Sequence, residues 1–413
     1  MAIGTAGSKR MVQLDFLRGV AVLLVMSHHV VLRPDESGIF GPLENVMIRF
    51  GWSGVDLFFV LSGFLVGGLL LGELRSQQKL DVRRFIIRRG FKIWPSYFAY
   101  LAVLLLFLLV QQHGNAQRAL GQILPNFLHL QNYLGSERPH TWSLAVEEHF
   151  YVFLPLLMLL LLYRKKAPAD AIALLPVIGL VLIATCTSMR YIVNANRPYN
   201  PATHYNPTHL RMDSLFFGVM IAYLGHFKGE FLAKIAAWRY SLLLGGIALV
   251  APMLIVDIQD GWFVSVLGFT FLYVGYGLIL IAVVYSPLNV GLLGRVLGSR
   301  FGKTVAFIGF FSYPIYLWHI DLGRFPLLIF ASKGLFITLG PSLRWIVFST
   351  LYLVLAVGAG VLFGILVEKP ALALRDMLFP SRTAAMDKID LRLDSNHPSP
   401  ATTREPRLIE GAP

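Results

Sequence analysis

The stretch Leu14-Asp-Phe-Leu-Arg-Gly-Val-Ala-Val-Leu-Leu-Val-Met-Ser-His-His-Val-Val-Leu32 is typical of a membrane-spanning helix that carries charge on one side. Eleven positions separate Arg18 from His29, and at about 100° per residue the two side chains return to within about 20° of each other. Each ionisable group in a membrane helix costs about 2.5–3.5 kcal/mol on insertion scales. A helix that tolerates two of them on one stripe is expected to turn that stripe toward a polar interior.

The composition is that of an integral membrane protein. Hydrophobic residues make up 56% of the chain and charged residues only 14%, against about 25% charged in soluble domains. The net charge of +13 does not indicate nucleic acid, because the basic residues lie in alternate short loops. The single cysteine, Cys186, excludes a disulfide or a cysteine-based zinc site within the chain. No motif indicates a P-loop, a dinucleotide site or a metalloprotease, and we predict no metal site.

Apolar segments of spanning length predict an all-α, polytopic membrane protein with about ten transmembrane helices. They are residues 14–32, 52–73, 91–111, 143–163, 170–188, 212–227, 240–257, 263–285, 304–320 and 345–367. Basic loops alternate along the chain, so the positive-inside rule places both termini in the cytoplasm. We predict a cytoplasmic N-terminus over 1–13 and a transmembrane domain over 14–370. Residues 381–413 are polar and are predicted to form a disordered cytoplasmic tail.

A basic cluster marks the cytoplasmic entry of the third segment, in Arg84-Phe-Ile-Ile-Arg-Arg-Gly-Phe-Lys-Ile-Trp-Pro95. Topology alone explains basic residues at a cytoplasmic membrane edge. The alternative interpretation is a site for the phosphates of a cytosolic cofactor, since Arg88 and Lys92 share a helix face. The cationic residues of this predicted site are Arg84, Arg88, Arg89 and Lys92.

A second set of polar residues is expected in the outer half of the membrane. Its members are His29, Asp56, Glu147, Glu148, Arg211, Asp213 and His319. Placement at a helix N-terminus also explains Glu147 and Glu148, and an interfacial position also explains His319. His28 and His29 point about 100° apart, so one can face the headgroups while the other faces inward.

These residues suggest general acid-base chemistry. A histidine with a nearby carboxylate can take a proton from a hydroxyl near neutral pH. A basic cluster on the far side suits a phosphorylated donor. From the residues alone, a transferase and a proton-coupled transporter are equally reasonable.

Together the motifs resemble the membrane-bound acyltransferase family 3. That family transfers acyl groups, often acetyl from acetyl-CoA, to hydroxyls of bacterial cell-surface glycans, lipids and some small molecules. The matching stretches are Leu14-Asp-Phe-Leu-Arg18 with His29, Gly54-Val-Asp-Leu-Phe-Phe-Val-Leu-Ser-Gly-Phe64, Arg88-Arg-Gly-Phe-Lys-Ile-Trp-Pro95, Thr141-Trp-Ser-Leu-Ala-Val-Glu-Glu148 and Ser312-Tyr-Pro-Ile-Tyr-Leu-Trp-His319. Where the family commonly has a second arginine, this chain has Lys92, which keeps the charge and loses the bidentate fork.

The resemblance implies a multi-pass inner-membrane O-acyltransferase with His29 as the catalytic histidine. Arg18 is then its supporting charge, and the basic motif of helix three is the CoA-side element. One of three carboxylates would orient the imidazole or the acceptor, and a covalent acyl-enzyme relay stays open. These carboxylates are Glu147, Glu148 and Asp56. The predicted acceptor-binding residues are Arg211, Asp213, Trp142 and His319.

The expected donor is acetyl-CoA or another acyl-CoA, with no permanently bound cofactor. The other expected partners are a glycan or glycolipid acceptor and membrane lipids, without nucleic acid. The alternative function is a transporter or flippase of a lipid-linked sugar or another amphiphile, with the same polar groups lining its path. The acceptor, the acyl chain length and the oligomeric state stay open.

Overall fold

The computed structural model describes residues 11–30, 37–164, 168–256, 258, 262–334, 336 and 338–380. Throughout these residues the secondary structure is helical, without a strand. The predicted N-terminal segment up to residue 10 and the predicted tail, 381–413, lie outside the described residues.

The first ten helices are α1 Val12–His29, α2 Gly41–Gly51, α3 Gly54–Gln77, α4 Val82–Gln111, α5 Ala116–Phe127, α6 Gln131–Leu134, α7 Trp142–Arg164, α8 Pro168–Ile172, α9 Leu175–Asn196 and α10 Pro201–His204. The next ten are α11 Met212–Phe227, α12 Gly229–Ala237, α13 Arg239–Val250, α14 Phe269–Val284, α15 Gly291–Gly298, α16 Arg300–Phe310, α17 Ser312–Trp318, α18 Phe325–Ser332, α19 Pro341–Phe363 and α20 Lys369–Leu378.

Six helical segments in the described ranges are long and apolar enough to cross a membrane. They are Gly38–Gln77, Val82–Gln111, Pro139–Arg164, Ala169–Asn196, Phe263–Val284 and Pro341–Leu378. The number rises to eight if each of two bent pairs, α11 with α12 and Arg300–Phe310 with Ser312–Ser332, is one span. The segment Arg239–Leu254 is apolar but shorter. The all-α, multi-pass class is confirmed, whereas ten spans and cytoplasmic termini stay predictions.

Glycines bring the helices around α1 and α3 into close contact. A Cβ atom on Gly63 of α3 would lie 1.7 Å from the carbonyl oxygen of Leu215 in α11. A Cβ atom on Gly309 of α16 would lie 1.8 Å from the carbonyl oxygen of Asp15 in α1. Small residues of this kind let helix backbones approach in a membrane, where lipid tails remove the hydrophobic drive for association. The crossings fix α1 and α3, which pack on each other and carry part of the site.

Two helices near the site continue into a π-helical turn. One turn, His319–Arg324, follows α17, and the other, Gly364–Glu368, follows α19. Such turns break the regular backbone hydrogen-bond pattern and are frequent at functional sites. They leave the first residue of one turn, His319, and the last residue of the other, Glu368, buried inside the bundle.

Candidate active site

A cavity of about 60 Å³ lies between α1, α3, α4, α7 and α17. Its charged lining residues are Arg18, Arg89, Lys92 and Glu147. Its hydroxyl-bearing lining residues are Ser62, Ser143, Ser312, Tyr313 and Tyr316. Space of this size holds a few water molecules. Because its lining holds three cations and one carboxylate, the cavity favours an anionic group.

Arg89 is held at the cavity wall by a network on α7. Its Nη2 donates to the Tyr151 hydroxyl at 2.6 Å, and its guanidinium carbon lies 4.3 Å from the centre of the Tyr151 ring. The Tyr151 hydroxyl donates to Glu147 Oε2 at 2.8 Å and lies 2.6 Å from Ser62 Oγ. Tyr151 was not singled out in the sequence, although it follows Glu147 by four positions and so shares its helix face.

Glu147 and Glu148 therefore lie beside α4, and their predicted role in orienting the imidazole or the acceptor stays a prediction. Glu148 Oε2 accepts a hydrogen bond from Trp94 Nε1 at 3.2 Å. The physical reason is the packing of α7 against α4, which brings both carboxylates to the helix that carries the basic motif. Sequence position within α7 could not reveal this neighbour.

Lys92 is paired with Glu368, another residue that was not predicted. Its Nζ donates to Glu368 Oε1, and the two side chains are only 20% and 4% exposed. Glu368 lies at the end of the π-turn after α19. A lone carboxylate within an apolar helical segment is the signal that could have indicated it.

Arg84 and Arg88 contact the end of the last described helix. Arg84 Nη2 donates to the Pro380 carbonyl, and Arg88 Nη1 donates to the Phe379 carbonyl. Arg88 also lies 3.5 Å from an oxygen of Asp376 in α20. The predicted donor cluster is thus divided, because Arg84 and Arg88 hold the C-terminal helix and do not line the cavity.

Arg18 lines the cavity from α1, whereas His29 does not. α1 is one continuous helix, so the eleven positions between them correspond to about 16 Å along its axis. Among the described residues, no hydrogen bond or ion pair joins the Arg18 side chain to another group. The structure therefore places Arg18 with the cations of α4 and places His29 at the far end of α1.

His29 belongs to a second group, formed with His319 and His140 and here called the histidine group. The ring centre of His319 lies 5.0 Å from that of His29 and 5.2 Å from that of His140. Nδ1 of His29 lies 2.8 Å from the Val25 carbonyl oxygen and 3.4 Å from Nε2 of His319. Nε2 of His29 has no hydrogen-bond partner in the part of the chain that the structure describes.

Tyr316 joins the cavity to the histidine group. Its ring lines the cavity, and its hydroxyl donates to the His140 carbonyl at 2.6 Å and lies 2.7 Å from Ser143 Oγ. Its own carbonyl oxygen lies 2.7 Å from Nδ1 of His319. A cationic cavity and a histidine group therefore adjoin at one tyrosine.

His28 points elsewhere. Its Nδ1 lies 2.6 Å from the carbonyl oxygen of Ile48 in α2. The two neighbouring histidines thus contact different elements, as the angle of about 100° between successive helix positions requires.

Asp56, one of the three carboxylates predicted to orient the imidazole or the acceptor, is paired with Arg211 in a fully buried ion pair. Arg211 Nη2 donates to Asp56 Oδ1 at 2.6 Å, and both side chains are 0% exposed. The Arg211 guanidinium lies 3.9 Å from the ring centre of Phe269 and 4.9 Å from that of Tyr205. The rings enclose the pair and separate it from water.

The other two predicted acceptor residues of this region surround the same ion pair. Asp213 pairs with the buried Arg190 at 2.8 Å, and Trp142 packs on Tyr205 with 4.6 Å between the ring centres. Arg190 is a third residue that sequence reasoning missed, although a lone arginine beside an apolar run is a signal. The ion-pair core, as we name it, comprises Asp56, Arg211, Asp213 and Arg190.

Comparison with known proteins identifies the family. A profile described as acyltransferase domain matches residues 11–365. O-acetyltransferase OatA of Staphylococcus aureus is 27% identical over 337 residues, which cover 78% of this chain and 51% of that protein. Peptidoglycan O-acetyltransferase OatA of Listeria monocytogenes is 26% identical over 329 residues, 75% of this chain and 49% of that protein.

The chain spans about half the length of these curated relatives. No solved structure gives a significant match. The family profile extends over most of the chain and includes every element of the cavity and the histidine group. The chain therefore belongs to the acyltransferase family 3, the family that its motifs resemble.

Proposed function

We propose that the protein is an O-acyltransferase that moves an acyl group from acyl-CoA to a hydroxyl of a cell-surface glycan or glycolipid. Family membership and two relatives named O-acetyltransferases support the reaction class and favour acetyl as the group. The observation that carries the proposal is the junction at Tyr316 between a cationic cavity and a histidine group in which Nε2 of His29 accepts no hydrogen bond from any residue that the structure describes. The name of the Listeria relative favours peptidoglycan as the first acceptor to test.

The donor is assigned to the cavity side. Arg89 and Lys92 present charged nitrogens that Tyr151 and Glu368 hold in place, and charge-assisted hydrogen bonds suit phosphate oxygens. Arg18 adds positive charge to the lining that it shares with Glu147, and no hydrogen bond or ion pair joins its side chain to another described residue. The separation of about 16 Å between Arg18 and His29 suits a donor with a long flexible arm such as CoA. Arg18 and His29 are too far apart along α1 for both side chains to contact the same reacting atom.

His29 is the general base of the proposed reaction. Its Nδ1 faces the Val25 carbonyl and so carries a proton, which leaves Nε2 as the basic atom. Nε2 takes the acceptor's hydroxyl proton while the hydroxyl oxygen attacks the thioester carbonyl. The new C–O bond forms, the C–S bond breaks, and the CoA sulfur leaves as a thiolate that takes up a proton. The products are an ester and free CoA.

The proposed membrane location follows from where the two substrates are found. A multi-pass protein whose donor is a cytosolic thioester and whose acceptor is a surface glycan is placed in the plasma membrane, the inner membrane where a second one is present. Both substrates can then reach one bundle from opposite faces. This placement is part of the proposal.

A coupled assay on the purified, reconstituted protein tests the function. With acetyl-CoA and peptidoglycan fragments, we expect acceptor-dependent release of free thiol, matched by an equal amount of new ester in the mass spectrum. A transporter or flippase would move a lipid-linked sugar unchanged and consume no acetyl-CoA. Translocation without thiol release would overturn the proposal.

A further inference from the structure

His319 contacts His29 at Nδ1, the ring nitrogen other than the proposed basic atom, Nε2. It is fully buried at the start of the π-turn after α17. Its own Nδ1 lies 2.7 Å from the Tyr316 carbonyl oxygen, and its Nε2 lies 3.4 Å from Nδ1 of His29. The ring planes meet at 66°. Both nitrogens of His319 therefore have a defined neighbour.

The carbonyl groups of Tyr316 and Val25 determine which nitrogen of each histidine ring is protonated. A carbonyl oxygen only accepts hydrogen bonds, so Nδ1 of His319 carries a proton toward Tyr316 and Nδ1 of His29 carries one toward Val25. A neutral His319 then has its lone pair at Nε2, opposite the Nδ1 proton of His29. The other tautomer of either ring would set a lone pair against a carbonyl oxygen 2.7 or 2.8 Å away.

A second proton on His319 would lack a counter-charge. Over the described ranges, no Asp or Glu side chain is hydrogen-bonded to it, and its nearest titratable rings are His29 and His140. A buried charge without a partner is costly. His319 is therefore the neutral, accepting member of the pair.

We propose that His319 is a positioning residue for the acyl transfer and holds His29 in the tautomer whose Nε2 is free. This inference rests on the proposed function of His29 as the base. When Nε2 takes the acceptor's proton, both nitrogens of His29 become donors. The lone pair of His319 then gives the Nδ1 proton a second acceptor beside Val25 and stabilises the positive charge as it develops. This role differs from the acceptor contact predicted for His319 from the sequence.

Two substitutions of similar polarity separate positioning from packing. His319→Gln keeps an acceptor oxygen about as far from the backbone as Nε2, whereas the shorter side chain of His319→Asn ends near the place of Nδ1. We expect His319→Asn to lower kcat about 10- to 100-fold, as for a lost hydrogen bond to a charged group. KM for acetyl-CoA should be unchanged, because the donor cations are untouched. His319→Gln should stay within about 3-fold of the native kcat.

Histidine ¹⁵N NMR of the full chain in nanodiscs gives a readout that packing alone does not move. In the native protein, neutral His29 should show a protonated Nδ1 and an unprotonated Nε2. In His319→Asn only the Val25 carbonyl still accepts from Nδ1, so the fraction of His29 with its proton on Nε2 should rise above the native value. Equal kcat values for folded His319→Asn and His319→Gln would overturn the inference. A native protein in which neutral His29 carries its proton on Nε2 would also overturn the inference. This measurement is made on the native protein and does not depend on the folding of a variant.

His29→Ala distinguishes this inference from the function on which it rests. If His29→Ala keeps native turnover, His29 is not the base and both fail. If His29→Ala is inactive while the two His319 variants have equal kcat, the positioning role alone fails.

Discussion

Two groups of charged residues in the bundle differ in what surrounds them. In the ion-pair core, Asp56 and Arg211 are 0% exposed and aromatic rings cover the guanidinium. At the cavity, Arg89 and Lys92 border open space, and no hydrogen bond or ion pair joins the Arg18 side chain to another described residue. Burial of charge therefore does not by itself mark a functional site. The cavity is the candidate site because its charges border open space and cations outnumber carboxylates in its lining.

The largest effect on stability is expected from Asp56→Ala. It leaves the Arg211 charge buried and unpaired, which typically costs about 3–5 kcal/mol. Thermal unfolding of the purified protein measures it. Glu148→Ala is the control, because its carboxylate has one hydrogen bond at 3.2 Å and should cost only about 1 kcal/mol. Equal shifts in the two variants would mean that the Asp56–Arg211 ion pair contributes no more to stability than the single hydrogen bond of Glu148.

The next effect is expected in donor use. Arg89→Ala should raise KM for acetyl-CoA about 10- to 100-fold, since a hydrogen bond to a charged group contributes about 1.5–3 kcal/mol. Arg84→Ala is the matched control, because Arg84 does not line the cavity and bonds the Pro380 carbonyl. Its KM should be native. If Arg89→Ala and Arg84→Ala raise KM for acetyl-CoA equally, the donor binds to the whole basic motif and not to the cavity residues alone.

A smaller effect is expected for Lys92→Arg. The substitution keeps the positive charge toward Glu368 and the cavity, and it introduces the residue that the family commonly has. Donor KM should stay within about 3-fold of the native value. Lys92→Met, of similar length but without charge, should raise KM far more. A Lys92→Arg variant as impaired as Lys92→Met would mean that shape, not charge, is what this position supplies.

Truncation should have the smallest effect. A chain that ends at Pro380 keeps both carbonyls that accept from Arg84 and Arg88, and it should retain most acyl transfer activity. A chain that ends at Met377 loses both acceptors and should unfold at a lower temperature. Inactivity of a well-expressed chain ending at Pro380 would assign a role to residues 381–413.

The membrane class and the motif residues could be predicted because hydropathy and helical phase are local properties. Helical phase, for example, correctly predicted that the side chains of His28 and His29 point in different directions. Partners could not be predicted, since they depend on how distant helices pack. Asp56 meets Arg211 across 155 positions, and Arg89 meets Tyr151 across 62.

The most direct test of the account is the turnover of His29→Ala beside that of His28→Ala, at matched protein and acetyl-CoA. His29 adjoins His319, and its Nε2 has no hydrogen-bond partner among the described residues, whereas Nδ1 of His28 lies at the Ile48 carbonyl. We predict that His29→Ala loses about 10²- to 10⁴-fold in turnover, the usual contribution of a general base, with native thermal stability. His28→Ala should lose far less. Equal turnover, or a greater loss in His28→Ala, would contradict the assignment of the histidine group as the catalytic centre.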